Sequence, residues 1–409
     1  MGAVPAPVAM DGSRFVADRA HEWRDAAPPP ITIAHTHIAT DLPVIDLRRG
    51  ELDRATAPHI IVAAAAALDR GETHYTPRTG IPALRRAVVI RLAADGGVAY
   101  DPAKEVLIAN GGQEGLYVAV QMLVHPGDDV LLADPGYSSY RTAIRLAGGN
   151  VLSVPVTTAD GYGMTADAIA ACLTPATRLL ILASPDNPTG GVTRAVEMAR
   201  IADLAVAYDL KVLFDETYRA FVFDGAVHMN IAALPGMRAR TVIVGSFSKT
   251  YAMTGWRVGY VAADAALLGP ITGLKLALSI CSAAPSQWAA LAAIEGPQDD
   301  VVTALAEVSR RRAALLPALA AMGLPHGDPK GAYYAFADIR STGLSSAECA
   351  ARFLTEAGVR TLSGSRFGAG GEGFLRFSLV EPVLRITEAM ARLAPLVAQL
   401  QGARKGHAA

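Results

Sequence analysis

The sequence predicts an α/β fold: a large domain on a mostly parallel seven-stranded sheet, followed by a smaller α+β domain. Three observations carry this. Between residues 105 and 262, short β-branched apolar runs alternate with helical patterns, the order that builds a parallel sheet covered on both faces. Past Pro270 the alternation gives way to long helices, and then to a mixture of short strands and helices. The 409 residues are 51% hydrophobic and 18% charged, too many for one simple core and apolar enough to bury two.

Residues 1–40 show no periodicity and read as an arm. His35 and His37 stand two apart with no third residue spaced to complete a metal site, so no metal is expected. Val44 to Leu47 is a short strand. A helix runs from Pro58 to Asp69, with proline in its preferred first position. A loop punctuated by Pro and Gly, Thr73 to Pro82, leads into a helix from Pro82 to Ala94. Strands follow at Glu105–Ala109, Val130–Ala133, Val151–Val156, Leu179–Ala183, Val212–Phe214, Thr241–Ser246 and Val258–Ala262. The helices between them are Gln113–Leu123, Ser139–Leu146 and Ala195–Tyr208. Long helices are expected at Ile271–Ala283, Ser286–Glu295 and Asp299–Met322. The remainder holds strands at Tyr333–Ile339, Arg360–Leu362 and Phe374–Leu379, helices at Ser346–Ala357 and Glu381–Leu400, and a frayed tail from Gly402. The implied division is an N-terminal arm at 1–45, a large domain at 46–295 and a small domain at 296–409 that takes in part of the N-terminal segment.

A net charge of −1 gives no electrostatic case for nucleic acid or an anionic membrane. The strongest apolar run near the N-terminus, Ile60 to Leu68, is far too short to span a bilayer. The first 30 residues lack the basic start and apolar run of a signal peptide. Cys172, Cys281 and Cys349 lie far apart and form neither a metal cluster nor a disulfide framework, which favours a reduced cytoplasmic setting.

In parallel sheets, ligands collect at the carboxyl ends of the strands, and here those ends are chemically rich. Asn110-Gly111-Gly112-Gln113 opens a helix whose first N–H groups suit a phosphate, although Gly-Gly can also be a plain tight turn. Tyr137 offers a ring that could stack on a flat ligand or simply pack. Asn187 is an amide in a turn, Asp215 a carboxylate at a strand end, and Tyr218 a phenol three residues on. Lys249 lies among hydroxyls in Ser246-Phe247-Ser248-Lys249-Thr250, with Arg257 eight residues later. A lysine among hydroxyls and a fixed cation suits Schiff-base formation with an anionic aldehyde. The whole set matches the needs of pyridoxal 5'-phosphate. Asp215 would pair with the protonated ring nitrogen, Tyr218 and Asn187 would bond the phenolic oxygen, and Lys249 would attach the cofactor and later shuttle a proton. That last role requires burial and the cofactor's cationic ring to lower the lysine's pKa.

At this point the chain resembles the class I/II aminotransferases, fold type I pyridoxal-phosphate enzymes, from about Val44 to Leu400. The matching pieces are Tyr75-Thr76-Pro77-Arg78-Thr79-Gly80, Asn187-Pro188-Thr189-Gly190, Asp215-Glu216-Thr217-Tyr218, and the Ser-Phe-Ser-Lys-Thr block that ends in Gly255-Trp256-Arg257-Val258-Gly259. The resemblance implies that Gly112 and Gln113 give N–H groups to the phosphate, with Ser246, Ser248 and Arg257 as further anchors. It implies that Tyr137 stacks on the ring, and that Tyr75 reaches the phosphate of a neighbouring subunit in a homodimer. Arg376 would clamp the substrate α-carboxylate, helped by Asn187 and the Gly50 backbone. Tyr334 would line the substrate pocket, and the N-terminal segment would form a lid.

The implied reaction moves an amino group between an α-amino acid and a 2-oxo acid by a ping-pong cycle. Elimination, cyclisation, oxidation or decarboxylation could use the same cofactor residues. The loop Arg48-Arg49-Gly50-Glu51 departs from the family's small residues, so its arginines either recognise a second anion or are solvated. A DNA-binding regulator fused to such a domain would need an extra N-terminal module, and about 40 residues are too few for one.

Overall fold

In the computed structural model, residues 42–407 are described; most of the expected arm, with its lid role, lies outside the described residues. After a two-residue strand, β1 (Ile45–Asp46), come β2 (Val106–Ala109), β3 (Asp129–Asp134), β4 (Asn150–Pro155), β5 (Thr177–Ala183), β6 (Lys211–Asp215), β7 (Thr241–Ser246) and β8 (Gly259–Ala263). β2 to β8 form one seven-stranded sheet in the order β2-β8-β7-β6-β5-β3-β4. β8 is antiparallel to both of its neighbours, and the remaining pairs are parallel. The carboxyl ends of all strands except β8 therefore share one edge, where the turn leading into β8 joins them.

The strands are apolar on both faces because both faces are covered. Leu179 and Ile181 of β5 pack with the helices Gly112–Leu123 and Ser138–Leu146, while Leu180 and Leu182 pack with Ala166–Cys172 and Ala195–Ala207. Val242 and Val244 of β7 likewise face one side and Ile243 the other. This two-residue alternation is what a strand between two helical layers requires.

The C-terminal part of the chain contains β9 (Tyr334–Asp338), β10 (Val359–Arg360), β11 (Leu362–Ser363) and β12 (Phe374–Ser378). β11, β12 and β9 form an antiparallel sheet, and β10 pairs parallel with β1. Helices Asp299–Ala321, Ser346–Ala357 and Val383–His407 pack around it. The N-terminal strand is thus tied to β10, and the chain after it brings Gly50 to Lys249 at the sheet edge.

Three expectations are corrected. The strand expected at Arg360–Leu362 is two strands in different sheets, with the chain crossing at Thr361. The helix expected from Ile271 starts at Ala265, capped by the Asp264 carboxylate on Ala266 N (3.0 Å), and ends at Ser279 with Pro270 inside it. The last helix continues to His407 rather than fraying from Gly402.

Candidate active site

The cradle is built where β2 meets the helix Gly112–Leu123. Gly111 caps this helix at φ +83°, and a Cβ there would run into the Arg257 guanidinium. A Cβ on Gly259 would lie 2.7 Å from backbone atoms of Gly111 and Gly112, and one on Gly112 would sit 3.4 Å from Ser246 Cβ. Glycine is needed at Gly111 for its positive φ and at Gly259 because backbone of Gly111, Gly112 and Gly245 closes on it, while Gly112 is in ordinary contact with Ser246. The N–H groups of Gly112 and Gln113, which the helix leaves without internal acceptors, thus sit beside Ser246 and Arg257. Arg257 is itself held at φ +52°, donating from Nη1 to Thr254 O (2.9 Å). The Ser246 hydroxyl oxygen accepts from Ser248 N (3.2 Å) and starts the short helix Phe247–Thr250 that carries Lys249.

At the end of β6, Asp215 accepts from Thr217 N (2.9 Å) at one oxygen and from the Tyr140 hydroxyl (2.8 Å) at the other. Burial pushes its carboxyl above the ordinary carboxylate range, and the Thr217 and Tyr140 donors offset this only in part. Tyr140 is a neutral donor, its phenol driven well up by burial and then by the Asp215 and Asp186 carboxylates. Its ring stands edge-on to Tyr137 (centroids 5.4 Å apart), and the Tyr137 hydroxyl reaches Gln113 Oε1 (3.3 Å). Stack and cradle are therefore one connected unit. Tyr218 and Tyr334 share a hydrogen bond between their hydroxyls (2.7 Å), and burial raises both phenols.

Lys249 Nζ donates to the Gly50 carbonyl (2.7 Å), which also accepts from the Tyr333 hydroxyl (2.8 Å). Burial lowers the lysine to about 8; Glu51 opposes this, and Arg376 and Arg257 reinforce it. Gly50 thus serves the site first through its carbonyl. Arg376, almost wholly buried in β12, donates from Nη1 to Asn187 Oδ1 (2.8 Å) and from Nη2 to the Arg48 carbonyl (2.7 Å). Its guanidinium lies over the rings of Tyr334 (4.2 Å) and Phe367 (5.2 Å). Tyr334, 1% exposed, is more a support for Arg376 than an open pocket wall. The Arg48 side chain pairs with Asp46 (3.2 Å) and that of Arg49 with Glu381 (2.9 Å), so both arginines are answered by carboxylates of the chain itself. Tyr75 stands apart from this cluster, 80% exposed.

The residues fit pyridoxal 5'-phosphate. The cradle is one that a single Cβ would fill, and Asp215 is a carboxylate whose charge burial disfavours and a protonated ring nitrogen would favour. Lys249 is an amine brought near neutrality, and Arg376 Nε is a buried N–H without an acceptor among the described residues. Sequence reasoning did not single out Tyr140, or Tyr333 as the partner of Gly50. The i, i+3 spacing of Tyr137 and Tyr140 at a helix start was a usable signal for the first. The Tyr333–Gly50 bond spans 283 positions and left none.

The family description "Aminotransferase class I and II" matches residues 43–393. An aspartate aminotransferase of Pyrococcus abyssi is 38% identical over 352 residues, covering 86% of this chain and 90% of that protein. An arginine–pyruvate transaminase of Pseudomonas aeruginosa is 38% identical over 360 residues, covering 88% and 91%. Among solved structures, an aromatic aminotransferase from Pyrococcus horikoshii OT3 matches with a TM-score of 0.86 at 38% identity, over 87% of this chain and 96% of that one.

Proposed function

The chain belongs to the class I and II aminotransferases, which use pyridoxal phosphate, and from that premise we propose how its own residues divide the work. The cofactor, when bound, supplies an electron-withdrawing ring that makes the α-hydrogen of an amino acid acidic. Gly112, Gln113, Ser246, Ser248 and Arg257 hold its phosphate. Asp215 faces the ring nitrogen and keeps it cationic, Tyr137 covers the ring, and Asn187 and Tyr218 donate to the phenolic oxygen. Lys249 attaches the cofactor and, once freed, carries a proton on Nζ. Arg376 binds the α-carboxylate, with the Gly50 N–H beside it. Amino donor and 2-oxo acid acceptor take turns in this site in a ping-pong cycle.

The observation that carries the reading is the state of Lys249. An ordinary lysine near 10.5 is protonated at neutral pH; lowered to about 8, a useful fraction is a free amine. The rate at which cofactor-free protein captures pyridoxal phosphate should therefore rise about tenfold per pH unit up to pH near 8 and then level off. Stopped-flow absorbance measures this, and a rate that still climbs steeply to pH 10 would contradict the assignment. To identify the reaction, purified protein is given acidic, basic and aromatic amino acids in turn. Release of the matching 2-oxo acid identifies the donor; ammonia or oxygen uptake instead points to another reaction class. The altered loop gives no reason to prefer such a class, since Arg48 and Arg49 each pair with a carboxylate of the chain, Asp46 and Glu381.

The exposure of Tyr75 supports a homodimer in which it reaches the partner's phosphate. Mixing Lys249→Ala and Tyr75→Ala subunits should restore activity above that of either parent, because each mixed dimer holds one intact site. No gain in dimers verified by sedimentation would rule out sharing. The working division places 46–295 in the cofactor domain and 296–409, with part of the N-terminal segment, in the small domain. A cytoplasmic setting is supported by three cysteines that are all free, and no helix among the described residues is long and apolar enough to cross a membrane.

A further inference from the structure

Lys275 is fully buried on the helix Ala265–Ser279, and no step described above uses it. Its Nζ donates to Glu114 Oε2 (2.9 Å) and to Ser279 Oγ (2.9 Å), and the Ser279 hydroxyl donates to Glu114 Oε1 (2.6 Å). Glu114 lies in the first turn of the helix whose N-terminus forms the cradle. Its carboxylate also accepts from Asn110 N (2.6 Å) and from Asn110 Nδ2 (3.1 Å). Asn110 is the residue between β2 and Gly111.

A buried ion pair is a weak device for stability, because desolvating both charges offsets most of their attraction. This one holds something else. Four donors converge on one carboxylate, and two of them belong to the residue that aims Gly111 and Gly112. Burial pushes Glu114 up, yet the bonds from Asn110, Ser279 and Lys275 outweigh it and hold the carboxyl below its usual range. The carboxylate would otherwise stand as an uncompensated anion in the first turn of the helix that receives a phosphate, and Lys275 cancels that charge. We propose that Lys275 and Glu114 are positioning residues for the cofactor phosphate: Glu114 fixes Asn110 and the glycine turn, and Lys275 neutralises Glu114. This rests on the reading of Asn110–Gln113 as the phosphate cradle.

The test compares pyridoxal phosphate with pyridoxal, which lacks the phosphate, by equilibrium binding to cofactor-free protein. Lys275→Met should weaken pyridoxal phosphate about ten- to a hundredfold, the range seen when a supporting bond behind a ligating group is lost, and leave pyridoxal within about twofold. The double variant Lys275→Met/Glu114→Gln, which leaves no unpaired charge, should recover most of the loss. If Lys275→Met does not fold, Lys275→Gln, which keeps a donor beside Glu114 but not the charge, should show the same split between the two ligands. Equal weakening of both ligands, or an unchanged affinity for pyridoxal phosphate, overturns the proposal. A double variant no better than Lys275→Met overturns the charge-compensation part. Unmodified protein that fails to bind pyridoxal phosphate overturns the cofactor reading itself.

Discussion

Lys249→Ala protein is expected to lose turnover by about a hundred- to ten-thousandfold, the contribution typical of a positioned acid–base group, while still binding pyridoxal phosphate. The two effects separate because the lysine is not what holds the phosphate. The cradle at Gly111–Gln113, Ser246 and Arg257 is made of backbone turns and a guanidinium that the substitution does not touch. What disappears is the amine that donates to the Gly50 carbonyl, and with it both covalent attachment and the carrier of the proton. The visible absorbance band that reports attachment to the lysine should vanish, and bound cofactor should wash out on dialysis. Lys249→Arg should be as inactive, since a guanidinium is not deprotonated at working pH. Folding should survive, because removing a buried amine relieves desolvation and leaves only Gly50 O short of one of its two donors. A persistent absorbance band after dialysis, or turnover within about tenfold of the unmodified protein, would remove Lys249 from the catalytic role.

How much of this was legible beforehand follows from how local each signal is. The seven strands are short, apolar and separated by helical periods, so alternation alone found all of them to within two residues at either end. Misreadings came where a tertiary partner decides. Arg360 and Leu362 both lie in strands, but strand pattern does not say which sheet a residue joins; β10 and β11 take different neighbours on either side of Thr361. Pro270 looked like a boundary because proline lacks an N–H. In the structure only one helical bond is forgone there, while Leu268 and Ile271, on either side of it, sink fully into the core. Burial of that size, a few kcal/mol for two large aliphatics, rivals the roughly 3 kcal/mol penalty of an interior proline.

The site divides in the same way. Residues that end strands were legible because the topology brings strand ends together whatever the loops do. The groups that hold those residues in place were not, because they come from far away in sequence. Glu114 and Lys275 are 161 positions apart, and Tyr140 meets Asp215 across 75. Arg48 illustrates the point most directly. Its side chain turns to Asp46, and its contribution to the site is a backbone carbonyl under Arg376 Nη2, an atom that every residue type carries and no sequence pattern marks.

That preorganisation makes Arg376→Ala the most informative change on the substrate side. The guanidinium is desolvated, fixed by Asn187 and Arg48, and layered on Tyr334 and Phe367 before any substrate arrives. Little conformational entropy is lost when a carboxylate binds it, so the charge-assisted bonds appear nearly in full as affinity. Removing one partner of such a pair costs about 2–5 kcal/mol, roughly 30- to 4,000-fold in kcat/KM. Most of the change should fall on KM, because the carboxylate is held alike in ground and transition states. Arg376→Lys should recover only part of it: the charge returns, but the fork that meets two oxygens and the flat stack on Tyr334 do not. A control isolates the carboxylate from general damage. An amine without an α-carboxylate has nothing to give Arg376, so its slow reaction with the loaded enzyme should be nearly indifferent to the substitution. If amino acid and decarboxylated amine lose reactivity to the same degree, Arg376 supports the fold of the site and the carboxylate clamp lies elsewhere.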